Sequence, residues 1–398
     1  MNKKLVLGFS GGVDTSYCAL YFNKVKKYDV HSIIVNTGGF SDSELIKIEN
    51  HAYKLGVKSH TTINAVKEYY DRIIKFLVFG NVLKNNTYPL SVSAERLIQA
   101  IYIAEHVKKL NADFVAHGST GAGNDQVRFD VVFQILIPNI KIITPIRDLS
   151  LSRAEEVEYL KKNKVKMNYE KSAYSINKGL WGTSIGGVET LKSKGVIPEN
   201  EWPTKVTKTK TEEIELGFVK GELKSVNNKK FSHQTEAIKF LQNIAAPFGI
   251  GRDIHVGDTI IGIKGRVGFE AAAPMIIIKS HHQLEKHILT KNQLQLKDNL
   301  SQFYGNSLHD GQILDPVMRD IENFLLNSQK NVTGKVFIQL FPYRFQIIGI
   351  ESKFDLMSSK FGKYGEANLG WSGEDVRGFS KIFSNQTSIY YKVNKGKK

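Results

Sequence analysis

The chain has 398 residues, of which 41% are hydrophobic and 24% charged, and its formal net charge at pH 7 is +16. This length exceeds the size at which one hydrophobic core stops growing, so we expect two folded domains. The composition excludes an intrinsically disordered chain, and no stretch reaches the roughly 18 apolar residues of a membrane span.

The positive charge is spread along the chain. Lysines recur in polar stretches such as residues 205–210, without a dense basic block interleaved with aromatic residues. This pattern is typical of a solvated surface, so we expect neither a nucleic-acid partner nor a membrane partner. The single cysteine, Cys18, excludes an internal disulfide, and the apolar residues 5–9 are too few for a signal peptide. We therefore expect a cytoplasmic protein.

Short β-branched stretches alternate with helical patterns over the first 165 residues. The predicted strands are residues 5–9, 30–36, 57–63, 114–117 and 140–145. Amphipathic helices, such as residues 94–110, lie between them. This alternation predicts a parallel sheet covered on both faces, with ligands at the carboxyl ends of its strands.

The first predicted strand leads into a glycine-rich loop and then a helix that ends near residue 26. The loop consists of Ser10, Gly11, Gly12, Val13, Asp14, Thr15 and Ser16. Glycines let the backbone approach an anion, and a helix N-terminus offers unpaired N–H groups. A simple capped turn is the alternative interpretation, but two glycines, an acid and three hydroxyls within seven positions favour a pyrophosphate site.

This loop resembles the S-G-G-x-D-T-S signature of the ATP pyrophosphatase superfamily. The resemblance implies that ATP is cleaved between its α- and β-phosphates, an oxygen is adenylated, and a nitrogen or sulfur nucleophile then replaces AMP. Argininosuccinate synthases, tRNA thiolases, NAD synthetases and GMP synthetases share the signature. The loop alone therefore leaves the adenylated substrate open.

A second motif follows a later strand, and it reads H-G-S-T-G-A-G-N-D-Q-V-R-F at residues 117–129. It resembles the H-G-x-T-G-K-G-N-D-Q-V-R-F/Y motif of argininosuccinate synthases. That family implies condensation of citrulline with L-aspartate in arginine biosynthesis, through a citrullyl-adenylate, with release of AMP and diphosphate. It also implies ATP and Mg²⁺, with Asp14 near the metal, and a homotetramer.

The resemblance implies roles for individual residues. The catalytic residues are Asp14, Ser16, Asp125 and Arg128. The ATP-binding residues are Gly8, Phe9, residues 10–16, Val35 and Gly118. The aspartate-binding residues are Thr120, Asn124 and Asp125, which supply donors for carboxylates and an acceptor for the amine.

Two further segments resemble the citrulline site of the family. Residues 88–96 are similar to Y-x-x-x-x-S-x-x-R, and residues 174–184 are similar to W/Y-S-x-D-x-N-L-W-G-x-S. The citrulline-binding positions implied by the resemblance are Tyr88, Ser93, Asn124, Arg128, Ser175, Ser184, Gly257 and Phe269. Arg96 would sit close by.

The pattern changes beyond about residue 170 to hairpin-like strand pairs. The predicted pairs are residues 214–219 with 223–226, and 335–340 with 345–351; two helices, residues 234–246 and 316–328, interrupt them. With the resemblance, this predicts an α/β protein of three parts. They are a HUP, Rossmann-like nucleotide-binding domain (1–168), an α+β synthetase and multimerisation domain (169–364) and an oligomerisation tail (365–398). The polar tail is expected to dock on a neighbouring subunit or to stay mobile.

The sequence departs from the family at positions that bear on the substrate. The citrulline-contacting Glu becomes Gly257 and the Tyr becomes Phe269, while a Lys becomes Ala122 and an Asn becomes Gly179. A buried ammonium that lost its carboxylate partner would cost several kcal/mol. We therefore hypothesise an Nα-acylated citrulline, for example acetyl- or succinyl-citrulline, with Gly257 making room for the acyl group.

Three alternatives stay open. Asp258, Glu270 or another acid replaces the lost partner, and free citrulline remains the substrate. A tRNA-thiolating enzyme would use the positive charge, but such enzymes generally need more cysteines than Cys18 alone. A nucleotide-binding module without turnover is the third.

Overall fold

The computed structural model describes residues 2–169, 174–358, 364–365 and 370–395. The chain divides into two compact units, Met1–Lys353 and Phe354–Lys398. The predicted boundary between residues 168 and 169 falls inside the first unit, and the three predicted domain ranges stay a prediction. Residues 366–369 and 396–398 of the predicted tail lie outside the described residues.

A parallel sheet is formed by strands with apolar side chains on both faces. Its strands are β1 (Lys4–Gly8), β2 (Asp29–Asn36), β3 (Ser59–Asn64), β4 (Phe114–Ala116) and β5 (Lys141–Ile143), in the order β3-β2-β1-β4-β5. Leu5, Val6 and Leu7 are fully buried, as expected of a strand covered on both sides. All five predicted strands are therefore confirmed.

Helices connect these strands and cover the sheet. They are α1 (Val13–Lys24), α2 (Asp42–Lys54), α3 (Val66–Tyr69), α4 (Lys75–Phe79), α5 (Glu95–Leu110), α6 (Asp125–Leu136), α7 (Pro145–Asp148) and α8 (Arg153–Lys162). Cys18 on α1 is fully buried in the core with Phe22 and Leu160. Burial and the nearby Asp14 and Glu156 raise the pKa of its thiol, so Cys18 is unsuited to thiol chemistry.

Two antiparallel sheets follow along the chain. One contains β6 (Tyr174–Gly179), β7 (Gly182–Gly187), β11 (Arg252–Asp258) and β12 (Lys264–Glu270), in the order β11-β12-β7-β6. The other contains β8 (Glu212–Val219), β9 (Glu222–Val226), β10 (Lys229–Lys230), β13 (Gly334–Phe341) and β14 (Arg344–Glu351), in the order β10-β9-β8-β13-β14. Both predicted hairpins lie in this second sheet. The parallel and antiparallel sheets together confirm the predicted fold class.

Both helices predicted in this region are confirmed, but two further helices were missed. The structure has α9 (Gln234–Ala245), α10 (Ala272–Ile288), α11 (Lys291–His309) and α12 (Pro316–Ser328). The buried face of α11 includes Lys297, Ser301 and Gly305. The positions that this helix buries at regular helical spacing are therefore not all apolar. Lys297 is fully buried, pairs with Glu285 at 2.9 Å and donates to the Phe79 carbonyl at 2.9 Å. The capping box from Thr290 to Gln293 was the available sequence signal for α11.

The second unit contains α13 (Gly373–Phe383) and α14 (Asn385–Asn394). Apolar side chains on these helices, including Phe379, Phe383 and Ile389, are exposed. Among the described residues, no helix combines the length and apolar character needed to cross a membrane.

Candidate functional site

The loop after β1 turns directly into α1. Gly11 has a φ of +76°, a conformation that favours glycine, and Gly12 is the N-cap of the helix. The Ser16 amide donates to the Gly12 carbonyl at 2.9 Å, while Ser10 and Gly12 are exposed. Because the first N–H groups of a helix have no partner within it, this turn is suited to an anion such as diphosphate.

The side chains of the loop differ in their surroundings. Thr15 Oγ1 donates to the Gly12 carbonyl at 3.3 Å and lies 3.4 Å from Ser10 Oγ. Ser16 is buried, and its hydroxyl lies 2.8 Å from Nε2 of His51 on α2. Ser16 therefore ties α1 to α2, whereas Ser10 and Thr15 stay near the surface of the loop.

Asp14 is the acidic side chain at this loop. Its carboxylate contacts the Arg153 guanidinium on α8. The carboxyl group of Glu156 lies near that of Asp14. Burial and this neighbouring carboxyl group raise the pKa of Glu156. Among the described residues, no group of three or more His, Cys, Asp or Glu side chains could hold a metal ion. Mg²⁺ is commonly held by one or two carboxylates together with substrate phosphates, and Asp14 suits that arrangement.

The other residues expected to bind ATP lie at the carboxyl edge of the sheet. Gly8 ends β1, and the amide of Phe9 donates to the Ile33 carbonyl at 2.8 Å. The Phe9 ring stacks on His51 with 6.1 Å between ring centroids. Val35 is buried near the end of β2.

Gly118 brings the second motif, residues 117–129, against the loop of residues 10–16, here called the phosphate loop. A Cβ at Gly118 would lie 3.2 Å from the backbone carbonyl carbon of Asp14, from its Cβ and from Thr15 Cγ2. These distances are tighter than ordinary van der Waals contact. A side chain at this position would therefore require Asp14 or Thr15 to move by a few tenths of an ångström.

The loop between β4 and α6 is held by side chains at its two ends. Gln126 Nε2 donates to the Gly121 carbonyl at 2.6 Å, and the Ser119 amide donates to His117 Nδ1 at 3.2 Å. Asn124 Oδ1 accepts from the Ile260 amide, at the tip of the β11–β12 hairpin, at 2.8 Å. Thr120 is exposed. The loop thus connects the parallel sheet to that hairpin.

Asp125 is held between two arginines. Its Oδ2 accepts from Arg96 Nε at 2.9 Å, and its Oδ1 accepts from Arg128 Nη1 at 2.9 Å. Burial works to raise the pKa of Asp125, but Arg96 and Arg128 outweigh it and hold that pKa below its ordinary value. Arg128 also donates through Nε to the His309 carbonyl at 2.9 Å. Asp125 is therefore a fixed anion at the start of α6.

One face of the β11-β12-β7-β6 sheet carries the remaining predicted positions. Ser184 pairs with Asn177 on one side and with Phe269 on the other, and residues paired directly across antiparallel strands share a face. Ser175, two residues before Asn177, lies on this face, as does Gly257 on β11, four residues after the partner of Phe269. Ser175 and Gly257 occupy the outer strands, roughly 14 Å apart across the sheet.

The segment between α4 and α5 lies over this face. The Tyr88 ring is 5.4 Å from the Phe269 ring and 5.2 Å from the His255 ring. Arg96 Nη2 donates to Asn177 Oδ1 at 3.1 Å. Within the described part of the chain, the buried hydroxyl of Ser93 has no hydrogen-bond partner. An unpaired buried hydroxyl is costly, so this group is suited to a ligand.

Glu95 fills the space beside Gly179. A Cβ at Gly179 would overlap Glu95 Oε2. Glu95 is buried, accepts from the Thr37 hydroxyl at 2.8 Å and pairs with Arg96 at 2.8 Å. Glu95 therefore links the end of β2 to the arginine that holds Asp125.

Glu270 and Asp258 are already engaged elsewhere. Glu270 accepts from the Thr204 hydroxyl at 2.5 Å and pairs with Arg252 at 3.2 Å, and it follows Phe269 on the strand, so it points to the opposite face. Asp258 is exposed and pairs with Lys264 at 2.7 Å. Asp253, which pairs with Phe269, is the acid of β11 that lies on the same face as Phe269.

The sequence analysis missed Glu95, Asn177, Arg153 and His255. Glu95 lies next to the predicted apolar face of its helix, and Asn177 lies on the same face of its strand as Ser175. Both positions could therefore have been recognised from the sequence. The contact of Arg153 with Asp14 and that of His255 with Tyr88 join distant segments. No local pattern indicates either contact.

Comparison with known proteins gives two family matches that cover most of the chain. Residues 4–166 match the arginosuccinate synthase N-terminal HUP domain, and residues 174–390 match the arginosuccinate synthase C-terminal domain. Similar proteins include the argininosuccinate synthase of Methanocaldococcus jannaschii, 34% identical over 98% of both chains. The argininosuccinate synthase of Xylella fastidiosa is 33% identical over 99% of this chain and 98% of its own length. The argininosuccinate synthase of Sulfolobus acidocaldarius is 34% identical over 97% of this chain and 98% of its own length.

The close approach at Gly118 gives a first prediction. Gly118→Ala should weaken ATP binding about tenfold, because the added methyl group would push Asp14 and Thr15 away from the loop that contains position 118. Calorimetric titration with a non-hydrolysable ATP analogue measures the change. Gly349→Ala is the matched control, since its Cβ would meet only Phe337, at 4.0 Å. Equal affinities of the Gly118 variant and the wild type would contradict the role of this contact.

Glu95 gives a second prediction, on pH dependence. Burial raises its pKa to about 7 from 4.5, against the opposing effects of Arg96 and Thr37. A carboxyl group with a raised folded-state pKa contributes stability that is present below pH 4.5 and is lost as the pH rises through 7. Glu95→Gln should remove a fall of about 3 kcal/mol in the free energy of unfolding over this range. Urea denaturation at several pH values measures it, and parallel curves for the two proteins would contradict it.

Proposed function

The chain belongs to the argininosuccinate synthase family and is an ATP-dependent ligase, and from this premise we propose that it joins L-aspartate to a citrulline-type ureido substrate. The observation that carries the proposal is the close approach of Gly118 to Asp14 and Thr15, where even an added Cβ would lie only 3.2 Å from them. Through it, a loop suited to diphosphate adjoins a loop that ends at a fixed carboxylate. The proposed products are AMP, diphosphate and an argininosuccinate.

The first proposed step is adenylation. The ureido oxygen attacks the α-phosphorus of ATP, and diphosphate leaves toward the amides and hydroxyls of residues 10–16. Asp14 would help to hold Mg²⁺, which neutralises phosphate charge when bound. Arg153 contacts Asp14, so this arginine would share that carboxylate with the metal ion.

The second proposed step joins the two substrates. The amine of aspartate attacks the activated ureido carbon, AMP leaves with the former ureido oxygen, and the amine loses a proton. Asp125 would accept a hydrogen bond from this amine, since a carboxylate has acceptor sites beyond those that Arg96 and Arg128 use. Thr120 and Asn124 would donate to its carboxylates. Binding both substrates next to one activated phosphate supplies most of the proposed catalysis.

The proposed ureido substrate carries an acyl group on its α-nitrogen. Glu270 and Asp258, the two acids that were candidates to hold a free ammonium, are paired with Arg252 and Lys264. Phe269 offers no hydroxyl, and its buried ring packs against Tyr88. These contacts support a site in which neither Glu270 nor Asp258 binds a free ammonium group.

Assembly as a homotetramer is part of the proposal. The exposed apolar side chains of α13 and α14 support it, because such side chains are typical of surfaces that bury against another subunit. Light scattering of the purified protein gives the mass in solution, and a monomer would contradict this part.

A competition assay tests the proposed reaction. Wild-type protein with ATP, Mg²⁺ and aspartate should form AMP only when a ureido substrate is present. The ratio kcat/KM for Nα-acetyl- or Nα-succinyl-citrulline should exceed that for free citrulline tenfold to a hundredfold, because an unpaired buried ammonium costs at least about 1.4–2.8 kcal/mol. Diphosphate release is the measurement. A preference for free citrulline would contradict the acylated substrate, and ATP cleavage without any ureido substrate would contradict the ligation.

A further inference from the structure

His255 lies on the same face of β11 as Gly257, two residues earlier in the strand. Its side chain is held firmly, because the residue is only 6% exposed and its ring stacks on Tyr88 with an interplanar angle of 24°. Tyr88 also packs on Phe269. The imidazole therefore belongs to the same surface as the predicted citrulline positions.

The space above Gly257 is filled by nitrogen atoms. A Cβ at Gly257 would lie 2.5 Å from His255 Nε2 and 3.4 Å from Asn85 Nδ2. The expectation that Gly257 makes room for an acyl group therefore needs correction, since it makes room for the His255 ring. Open space lies beside it on the same face, because a Cβ at Gly265, the strand partner of Gly257, would have no described atom within 4 Å.

Both nitrogens above Gly257 are suited to donate hydrogen bonds. Asn85 Nδ2 donates one hydrogen to the Val256 carbonyl at 3.1 Å and has a second. Burial and Lys84 lower the pKa of His255, although Asp253 opposes them, so the ring is neutral. Its Nδ1 is buried without a partner among the described residues. Orphaned N–H groups are rarer than orphaned acceptors, which favours the tautomer with the proton on Nε2.

The donors of this pair also favour an oxygen atom over a cation. Two N–H donors lie above Gly257, and the opposite charges of Lys84 and Asp253 both act on His255. An ammonium group placed here would face hydrogen atoms, whereas a carbonyl oxygen would receive hydrogen bonds.

We infer that His255 and Asn85 form a specificity subsite that donates hydrogen bonds to the carbonyl oxygen of an acyl group on the α-nitrogen of the ureido substrate. The inference rests on the proposed function and deepens it. Acetyl and succinyl groups share this carbonyl, and the rest of the acyl group extends over Gly265. Assays with both acetyl-citrulline and succinyl-citrulline distinguish binding of the shared carbonyl oxygen from binding of the terminal carboxylate of a succinyl group.

The test compares selectivity in variants of the full chain. His255→Phe keeps an aromatic ring against Tyr88 but removes the donor. It should lower kcat/KM about tenfold for both acylated citrullines and leave free citrulline within twofold. Asn85→Asp keeps a residue type that tolerates the φ of +51° at this position. Because it replaces the donor by a carboxylate, it should shift selectivity further toward free citrulline.

Val256→Thr is the matched control, because this exposed side chain points to the opposite face of the same strand. It should leave the ratio of the rate constants unchanged. Equal losses for free and acylated substrates in His255→Phe would overturn the subsite while leaving the ligation intact. A loss confined to succinyl-citrulline would overturn the carbonyl assignment. A wild type that forms no AMP with any ureido substrate would overturn the proposed function and the subsite together.

A double variant tests the same idea by gain of function. Gly257→Glu alone would collide with His255, so it is combined with His255→Ala. The pair should raise kcat/KM for free citrulline relative to acetyl-citrulline at least tenfold, because a carboxylate then replaces a donor. An unchanged ratio in a folded double variant would overturn the inference.

Discussion

The ion pair between Arg96 and Asp125 is the interaction on which the candidate site depends. Arg96 contacts Asp125, Glu95, Gln99 and Asn177, so one guanidinium joins α5, the start of α6 and β6. A planar group with five donors can hold several acceptors in fixed directions. The parallel sheet and the antiparallel sheet are thereby connected beside Asp125.

Close backbone approach is the second constraint. Gly118 lets the second motif contact the phosphate loop, and Gly179 leaves space for Glu95. Gly39, after β2, lies against the backbone of Lys178 in the same way. Each glycine removes a Cβ at a contact between segments distant in sequence. These contacts bring the proposed nucleotide loop and the β6–β7 hairpin into one site.

The differences from the family are coupled to each other in space. The absent side chain at Gly257 admits the His255 ring, and the ring packs against Tyr88 beside Phe269. A substitution at one of these positions therefore changes which side chains can pack at the others. Together they place hydrogen-bond donors above Gly257, on the face that carries the predicted citrulline positions.

The features that could be predicted from the sequence are those that depend on neighbouring residues. The phosphate loop, the parallel strands and the 117–129 motif were predicted because glycine conformations, helix starts and strand periods are local properties. The helix α11 was missed because its buried face contains Lys297, which only a distant Glu285 makes tolerable. Tertiary structure alone decided that Glu270 pairs with Arg252, that Glu95 lies over Gly179, and that His255 and Asn85 meet above Gly257. These outcomes depend on strand register and on packing between segments up to 171 residues apart, which no local pattern encodes.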